Sequence, residues 1–439
     1  MIDIAVKAVL DKLPVIELEN SLHTFLNPMM KVLPDKRLQQ VVPLAVRGII
    51  GSETPVVTHM AQTIARTESG VWAAAKRVYR FLGNDRFTHQ ELGDGLYAIS
   101  RASVQAEAPS YAVVALDPVN FEKPYTHELE GVSTVYKSTP PQRNGQARLT
   151  SGYPAITASV VKTRVPAVTY ANWFSYTTDF ISESLEIQQA IRATRSLLPE
   201  YRLRFVTDAG LDDQKLFAEL ADDEFVIRAS HLERIVEVYN ERLDRWERES
   251  LQDLVDVAWF THTFHVTFTH ARKTRFATIK VGWFPLRLPT PHQRLWALVA
   301  YDVDMDRTLV LLTNVPLHSV NEARCVYDDW RLRSRIEHGY RFDQEQGLDV
   351  EDMRVQTLER MKRLFFLVLA AAQFVFYLID TWPRRAVRWI RELGGKLGLS
   401  NDLDGPYLVL RGLSAIFKTV ATISFLLLYP FPREGGTYG

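Results

Sequence analysis

The spacing of apolar residues changes along the chain, and this change restricts the fold more than any other feature. Over residues 1–100, apolar residues recur every three or four positions, as in "ESGVWAAAKRVYRFLGN", which predicts amphipathic helices. From about residue 108 the period becomes two, in short runs such as "YAVVALD" and "YPAITASVVKT". The order strand, strand, strand, helix, strand, helix then predicts a mixed α/β sheet flanked by helices.

A second β-rich block lies between residues 225 and 317, and includes "RFATIKVGWF" and "TLVLLTN". Helical periodicity returns after residue 317. We therefore predict an α/β domain that a β-rich insertion interrupts before its last helices. The predicted units are a helical domain at 1–105, the two parts of the α/β domain at 106–224 and 318–380, the insertion at 225–317, and a helical C-terminal part at 381–439.

The composition restricts the class of protein. Cys325 is the single cysteine among 439 residues, which excludes a disulfide framework and a multi-cysteine metal site and fits a reducing cytosol. Acidic residues within the apolar N-terminus do not fit a signal peptide. The net charge is zero, but residues 131–178 and 257–301 contain basic residues and no acid. These tracts could contact phosphates, or they could be loops with a chance imbalance of charge.

Two apolar runs near the C-terminus raise the question of a membrane. Residues 364–379 are apolar apart from Gln373 and are bounded by Arg363 and Asp380, and the later run "GLSAIFKTVATISFLLLYPF" contains Lys418. A membrane-spanning helix needs about 20 predominantly apolar residues. We therefore predict a buried core helix and no membrane partner, with membrane association as the minor alternative.

Two acidic residues end short apolar strands of the predicted α/β domain. Asp117 ends "YAVVALD", and Asp208 ends the strand in "YRLRFVTDAGL". Carboxylates at the ends of neighbouring strands share one cleft, where their repulsion is costly unless cations neutralise it. With a third acid they can hold two divalent metals about 3.5–4 Å apart, which is the arrangement used for in-line phosphoryl displacement. Oxygen ligands favour Mg²⁺ or Mn²⁺ over zinc. The alternative is that each aspartate is only a turn residue.

The stretch "WRLRSRIEHGYRF", which follows the β-rich block, supplies a third acid. We predict that it is helical and that Trp330, Arg333, Glu337 and Gln344 share one face, because residues three and four apart are neighbours on a helix. The other acids of this region are predicted to be solvated partners of nearby arginines: Asp328, Asp329, Asp343 and Glu345.

Together, "YAVVALDPVNFEKPY", "RFVTDAGLDDQKLF" and "WRLRSRIEHGYRF" resemble the three acid-bearing motifs of DDE-type insertion-sequence transposases. They are most similar to the group whose ribonuclease-H-like core is interrupted by a β-rich insertion. The third motif of that group is Tyr, two residues, Arg, three residues, Glu, six residues, Lys. Arg333 and Glu337 match this spacing, whereas Trp330 stands at the tyrosine position and Gln344 at the lysine position.

The resemblance implies metal-dependent cleavage at the terminal inverted repeats of an insertion sequence, followed by 3′-hydroxyl strand transfer into target DNA in the bacterial cytosol. Asp117, Asp208 and Glu337 would be the catalytic residues and would hold two Mg²⁺ or Mn²⁺ ions, while Arg333 would hold a DNA phosphate. A homodimeric synaptic complex is implied, with the C-terminal helices as its interface. The other expected contacts to double-stranded DNA are Trp330, Gln344, Tyr327, Lys76, Arg77 and Arg80.

Some questions stay open at the level of sequence. Members of the group commonly form a DNA hairpin whose flipped base stacks on an aromatic side chain, and Trp259, Trp283 and Trp296 are equal candidates. The alternative for each of these tryptophans is that it packs in the core. His262 and His265 point to opposite faces of a strand, so a shared metal site is not expected. Because two of the four positions of the third motif differ, the rival interpretation is a protein that binds DNA without cutting it.

Overall fold

The structure of the chain is a computed structural model that describes residues 13–65, 68–124, 128–137, 146–178, 180–270, 273–290, 292–344, 347–397 and 405–428. The helices are α1 (Val15–Lys31), α2 (Lys36–Gln39), α3 (Val41–Ser52), α4 (Val57–Ile64), α5 (Glu68–Leu82), α6 (His89–Glu107), α7 (Glu183–Leu197), α8 (Gln214–Glu219), α9 (Leu251–Asp256), α10 (Val320–Arg331), α11 (Ser334–Gln344), α12 (Leu358–Thr381), α13 (Arg384–Leu397) and α14 (Pro406–Leu428). The strands are β1 (Ala112–Glu122), β2 (Ser133–Tyr136), β3 (Leu149–Val160), β4 (Ala167–Trp173), β5 (Leu203–Thr207), β6 (Glu224–Arg228), β7 (Ile235–Asn240), β8 (Arg245–Ser250), β9 (His262–His270), β10 (Lys273–Arg287), β11 (Arg294–Asp302) and β12 (Arg307–Thr313).

The strands of the described residues form one twelve-stranded mixed sheet. Its order is β2-β3-β1-β5-β6-β12-β11-β10-β7-β8, with β4 paired to β3 and β9 paired to β10. Strand β3 is antiparallel to β1, β2 and β4, whereas β1, β5 and β6 are parallel. The mixed α/β fold predicted from the sequence is confirmed. The strands predicted as a β-rich insertion continue the same sheet, because β6 pairs with β5 and with β12.

The alternation of side chains along β1 sends them to two different helical layers. Val114 and Leu116 belong to the apolar cluster that contains residues of α7 and α8. Val113 and Ala115 belong to the cluster that contains residues of α10. Asp117 has the same parity as Val113 and Ala115, so it faces the α10 side of the sheet.

Helix α12 is the centre of a third apolar cluster, which it shares with the N-terminal helices, α13, α14 and the end of β1. A helix that is apolar on nearly all sides is stable only when other elements surround it. Arg363 ties its first turns to the loop after α5, because the guanidinium donates to the carbonyl oxygens of Leu82 (2.8 Å), Asn84 (2.7 Å) and Phe87 (2.5 Å). The helical segments predicted at the two ends of the chain therefore share one core.

Two helices of the described residues are long and apolar enough to cross a membrane, Leu358–Thr381 and Pro406–Ser424. Of the most apolar window of each, 67% is buried within the protein in the first and 39% in the second. The burial of the first is that of a core helix, as the sequence predicts.

Candidate active site

The parallel pairing of β1 and β5 brings two of the predicted acids side by side. The prediction that Asp117 ends its strand is wrong, because β1 continues to Glu122 along its pairing with β3. Ala115 pairs with Val206, so Asp117 and Asp208, each two residues further on, lie at the same level. Val206 contributes to the same apolar cluster as Ala115, so both aspartates face the α10 side. Asp208 lies just outside β5, where it precedes a single 3₁₀ turn.

The third motif is not the continuous helix that the sequence predicts. Helix α10 ends at Arg331 and α11 begins at Ser334, so Arg333 lies in the junction between them. The backbone N–H of Leu332 donates to the carbonyl oxygens of Asp328 (3.3 Å) and Asp329 (3.1 Å), which tightens the last turn of α10. No glycine or proline marks this junction, so the sequence contains no breaker signal there.

The side chain of Arg333 lies among the three predicted acids. Its guanidinium nitrogens are 2.6 Å from a Glu337 carboxylate oxygen, 3.4 Å from an Asp208 oxygen and 3.7 Å from an Asp117 oxygen. The side chain of Arg333 is 12% exposed, compared with 16% for Asp117, 38% for Asp208 and 41% for Glu337. We call Asp117, Asp208 and Glu337 the acid cluster.

The electrostatics of the acid cluster are those of a site with too little positive charge. The pKa of Asp117 is raised from 3.8 to about 7, mainly by burial and also by the charges of Glu337 and Asp208, although the charge of Arg333 lowers it. Arg228 adds one more cation, 3.5 Å from Asp208, but its side chain is 48% exposed. The chain therefore holds a partly buried carboxylate that another cation would stabilise.

The donor types of the acid cluster suit a hard divalent cation, since all three are carboxylates. The present spacing of the three carboxylates does not suit a metal ion, because the described residues contain no group of three acidic, histidine or cysteine side chains close enough to hold one. The guanidinium group of Arg333 separates the carboxylates. The acid cluster therefore fits such an ion chemically, on the condition that Arg333 moves.

Trp330 and Tyr327 are held by the protein in ways that the sequence did not predict. The indole N–H of Trp330 donates to the carbonyl oxygen of Thr207 (3.0 Å), so it links α10 to the end of β5 beside Asp208 and is not free for a phosphate. Tyr327 is 5% exposed and its ring packs 5.4 Å from that of Phe264. The side chain of Tyr327 is therefore not accessible to DNA in this structure. The backbone of Gln344 ends α11, and its side chain lies outside the described residues.

The prediction that Asp329 is solvated is wrong. Its side chain is 3% exposed and accepts hydrogen bonds from Arg204 (2.5 Å), Tyr111 (2.7 Å) and Lys162 (3.0 Å). Arg204 belongs to β5, Tyr111 directly precedes β1 and Lys162 follows β3, so the carboxylate connects α10 to the sheet. Asp328 is 44% exposed and pairs with Arg331, as the sequence predicts, and also with Arg324. The side chains of Asp343 and Glu345 lie outside the described residues.

The three basic residues predicted on α5 lie on its exposed surface: Lys76, Arg77 and Arg80. The ammonium group of Lys76 lies 5.3 Å from the ring centroid of Trp72, which is 57% exposed.

Arg77 and Arg80 line a cleft of about 590 Å³ together with Arg37 and Arg86. The last two were not singled out in the sequence, because they lie outside α5. Contact between this surface and DNA stays a prediction.

The structure distinguishes the three tryptophans that the sequence left equal. Trp259 is 85% exposed. Trp283 stacks on His262 at 5.0 Å between ring centroids, and Trp296 meets His318 edge to face at 5.2 Å.

A cavity of about 550 Å³ lies close to Asp208. It is lined by residues that include Arg228, Phe260 and Tyr301. Arg228 connects it to the acid cluster through its contact with Asp208.

A scan against protein-family models and a search of curated proteins match nothing. Among solved structures, one similar chain is in the cryo-EM structure of the piggyBac transposase synaptic complex with hairpin DNA. The alignment covers 75% of this chain and 60% of that chain, with 8% sequence identity and a TM-score of 0.38. A similarity this low assigns neither a fold family nor a function.

Proposed function

We propose that the chain is a DDE-type transposase, which cleaves DNA at the terminal inverted repeats of an insertion sequence and joins the 3′-hydroxyl ends to target DNA. One observation carries the proposal: Asp117, Asp208 and Glu337, which come from three distant motifs, lie around a single guanidinium group. A single motif could resemble the family by chance. Three separate motifs that resemble one family and whose acids also lie close together in the structure are much harder to explain in that way.

The position of the acids in the sheet supports a ribonuclease-H-like core. Strands β1 and β5 are adjacent and parallel, and each brings an aspartate to the same face of the sheet at the same level. Strands β3 and β4 extend the other side of β1 in antiparallel order, and β6 continues the parallel part. The third acid approaches from α11, which follows the β-rich block in sequence.

The proposed chemistry divides among the residues of the site. When bound, two Mg²⁺ or Mn²⁺ ions would activate the attacking water or 3′-hydroxyl and stabilise the leaving oxygen. Asp117 and Asp208 would hold them from the sheet, and Glu337 from α11. Arg333 would hold a backbone phosphate, since its planar fork matches two phosphate oxygens. Trp330 fixes the position of the Asp208 backbone through its bond to Thr207.

The partners follow from the same proposal. Double-stranded DNA would lie against the basic surface of α5, which Lys76, Arg77 and Arg80 form in the described part of the chain. Synapsis of two transposon ends would require a homodimer, and the C-terminal helices are the proposed interface. The bacterial cytosol is the proposed location.

The test is metal-dependent nicking of a duplex that carries the DNA flanking the gene. Alanine at Asp117, Asp208 or Glu337 should abolish nicking while DNA binding in a gel-shift assay survives. Asp328→Ala is the matched control, because this acid lies on α10 but is exposed and pairs with Arg324 and Arg331. Nicking that persists in any of the three acid variants would contradict the assignment of that residue.

A second candidate function is DNA binding without cleavage. Arg333 occupies the centre of the acid cluster, and the expected lysine is replaced by Gln344. Specific binding of the flanking DNA with no nicking in either Mg²⁺ or Mn²⁺ would favour this function over the first.

A further inference from the structure

Arg333 makes the largest set of charged contacts in the acid cluster. It is mostly buried, and it pairs tightly with Glu337 and loosely with Asp208 and Asp117. The tight pair joins residues four apart across the start of α11, while the loose pairs reach two strands of the sheet. One guanidinium group thus balances part of the charge of three carboxylates.

We propose that Arg333 is the resident counter-ion of the acid cluster and that a divalent cation binds by displacing it from Asp117 and Asp208. In this role Arg333 sets the affinity for metal, in addition to the phosphate contact of the proposed function. The competition itself rests on the geometry of the cluster. Only the identity of the phosphate as DNA depends on the proposed function.

The physical reason is that the guanidinium group and a metal ion need the same oxygens. Ligand oxygens lie about 2.0–2.6 Å from Mg²⁺ or Ca²⁺, so the carboxylates would have to converge on one point. The carboxylates do not converge while the guanidinium group lies among them. Accordingly, the described residues contain no group of three such side chains that could hold a metal ion. Metal and guanidinium therefore exclude each other at Asp117 and Asp208.

The unequal distances indicate which contacts break. The contacts to Asp208 at 3.4 Å and Asp117 at 3.7 Å are longer than an ordinary charge-assisted hydrogen bond, so little is lost when they open. The contact to Glu337 at 2.6 Å is short. A cation would therefore take the two aspartates first, while Arg333 turns about its pair with Glu337.

This competition couples metal binding to phosphate binding. A phosphate is a strong bidentate partner for arginine, so a phosphate that draws Arg333 away leaves the acid cluster free for metal. By linkage, metal that displaces Arg333 must favour phosphate binding to the same degree. The chain would then bind metal weakly when free and tightly when DNA is present.

The test uses Mn²⁺ alone with the full-length chain, by isothermal titration calorimetry. Arg333→Met should bind Mn²⁺ about tenfold more tightly than the unaltered chain, within the usual range of coupling between sites. Arg333→Lys should fall between them, because its single ammonium group cannot reach three carboxylates together. Arg228→Met is the matched control, since Arg228 contacts only one member of the cluster among the described residues and is half exposed; it should change the affinity by less than about threefold.

Equal or weaker Mn²⁺ binding by Arg333→Met, or no binding by either protein, would overturn the proposal. Thermal unfolding gives a second measurement: Mn²⁺ should raise the Tm of Arg333→Met more than that of the unaltered chain. If the methionine variant does not fold, Arg333→Gln and Arg333→Lys are judged by the same comparison. Tighter metal binding by the variant in a chain that never nicks DNA would refute the transposase function and leave this inference intact.

Discussion

Replacing Asp117 with asparagine should stabilise the folded chain, and the gain should grow as the pH rises. The carboxyl group of Asp117 is 16% exposed and lies in the middle of β1. Burial is the main reason why its pKa rises from 3.8 to about 7, and the neighbouring Glu337 and Asp208 add to it. Folding therefore disfavours the ionised form of this side chain.

The sign and size follow from proton linkage. Between about pH 4 and pH 7 the folded chain holds a proton on Asp117 that the unfolded chain has released, so the free energy of unfolding falls as the pH rises. At about 1.4 kcal/mol for each pKa unit, the difference between 3.8 and about 7 gives an upper bound of about 4 kcal/mol, reached above the folded pKa. Asparagine removes this penalty. The pKa of about 7 already includes the attraction of Arg333, but relaxation and water penetration reduce the real cost of a buried charge, so we expect a net gain of about 2 kcal/mol at about pH 8.

The assay is urea unfolding of both proteins at about pH 4.5 and about pH 8, with the free energy of unfolding taken from linear extrapolation. The gain from Asp117→Asn should be larger at the higher pH by about 1.5 kcal/mol. Asp328→Asn is the control, because this carboxylate is 44% exposed on α10, and its effect should differ little between the two pH values.

Two results would refute the reasoning. If Asp117→Asn gave the same gain at both pH values, the carboxyl group would not be the source of the pH dependence. If the variant were less stable at about pH 8, the ionised carboxylate would be contributing more to Arg333 than its burial costs.

Three further predictions concern contacts that position the site and the core. Trp330→Phe should lose about 1 kcal/mol in urea unfolding, because the indole bond to the Thr207 carbonyl disappears. Arg363→Met should lose about 3 kcal/mol or more, seen as a lower Tm in calorimetry, because the carbonyl oxygens after α5 lose their donors. Gly282→Ala should cost about 1–3 kcal/mol and shift the tryptophan emission, since a Cβ there would lie 2.3 Å from the Trp259 carbonyl oxygen.

Two of these variants have a matched control at an exposed residue. An unchanged stability of Trp330→Phe would mean that the indole bond contributes nothing. Arg388→Met is the control for Arg363, because its side chain is 80% exposed, and equal Tm losses in both would contradict a specific role. Gly395→Ala is the control for Gly282, because a Cβ there meets no atom within 4 Å, and it should be neutral or slightly stabilising.

Whether a segment is a helix or a strand could be predicted, because each has a regular local period that the apolar residues follow. The apolar runs of β1 and β5 predicted strands that end in acids; Asp208 follows the end of β5, whereas Asp117 lies inside the longer strand β1. The apolar run of α12 predicted a buried helix, and its burial agrees. The spacing of Arg333 and Glu337 predicted a shared face, and the two side chains form an ion pair.

Other features could not be predicted because they depend on residues far apart in the chain. In the sequence, Asp329 does not differ from the other acids around α10. In the structure, α10 directs its side chain to the sheet, where Arg204 and Tyr111 donate hydrogen bonds to it. Tyr327 is buried on the same helix for the same reason. The pairing of β6 with β12 joins the β-rich block to the main sheet, and no local pattern specifies that register.

By itself, the sequence determined the periodicity of the elements, the acids that follow the apolar runs of β1 and β5, and the spacing of Arg333 and Glu337. Only the tertiary structure decided that Arg333 stands among Asp117, Asp208 and Glu337. The physical reason is that periodicity depends on neighbouring residues, whereas the energy of a buried charge depends on whichever charges the fold brings around it.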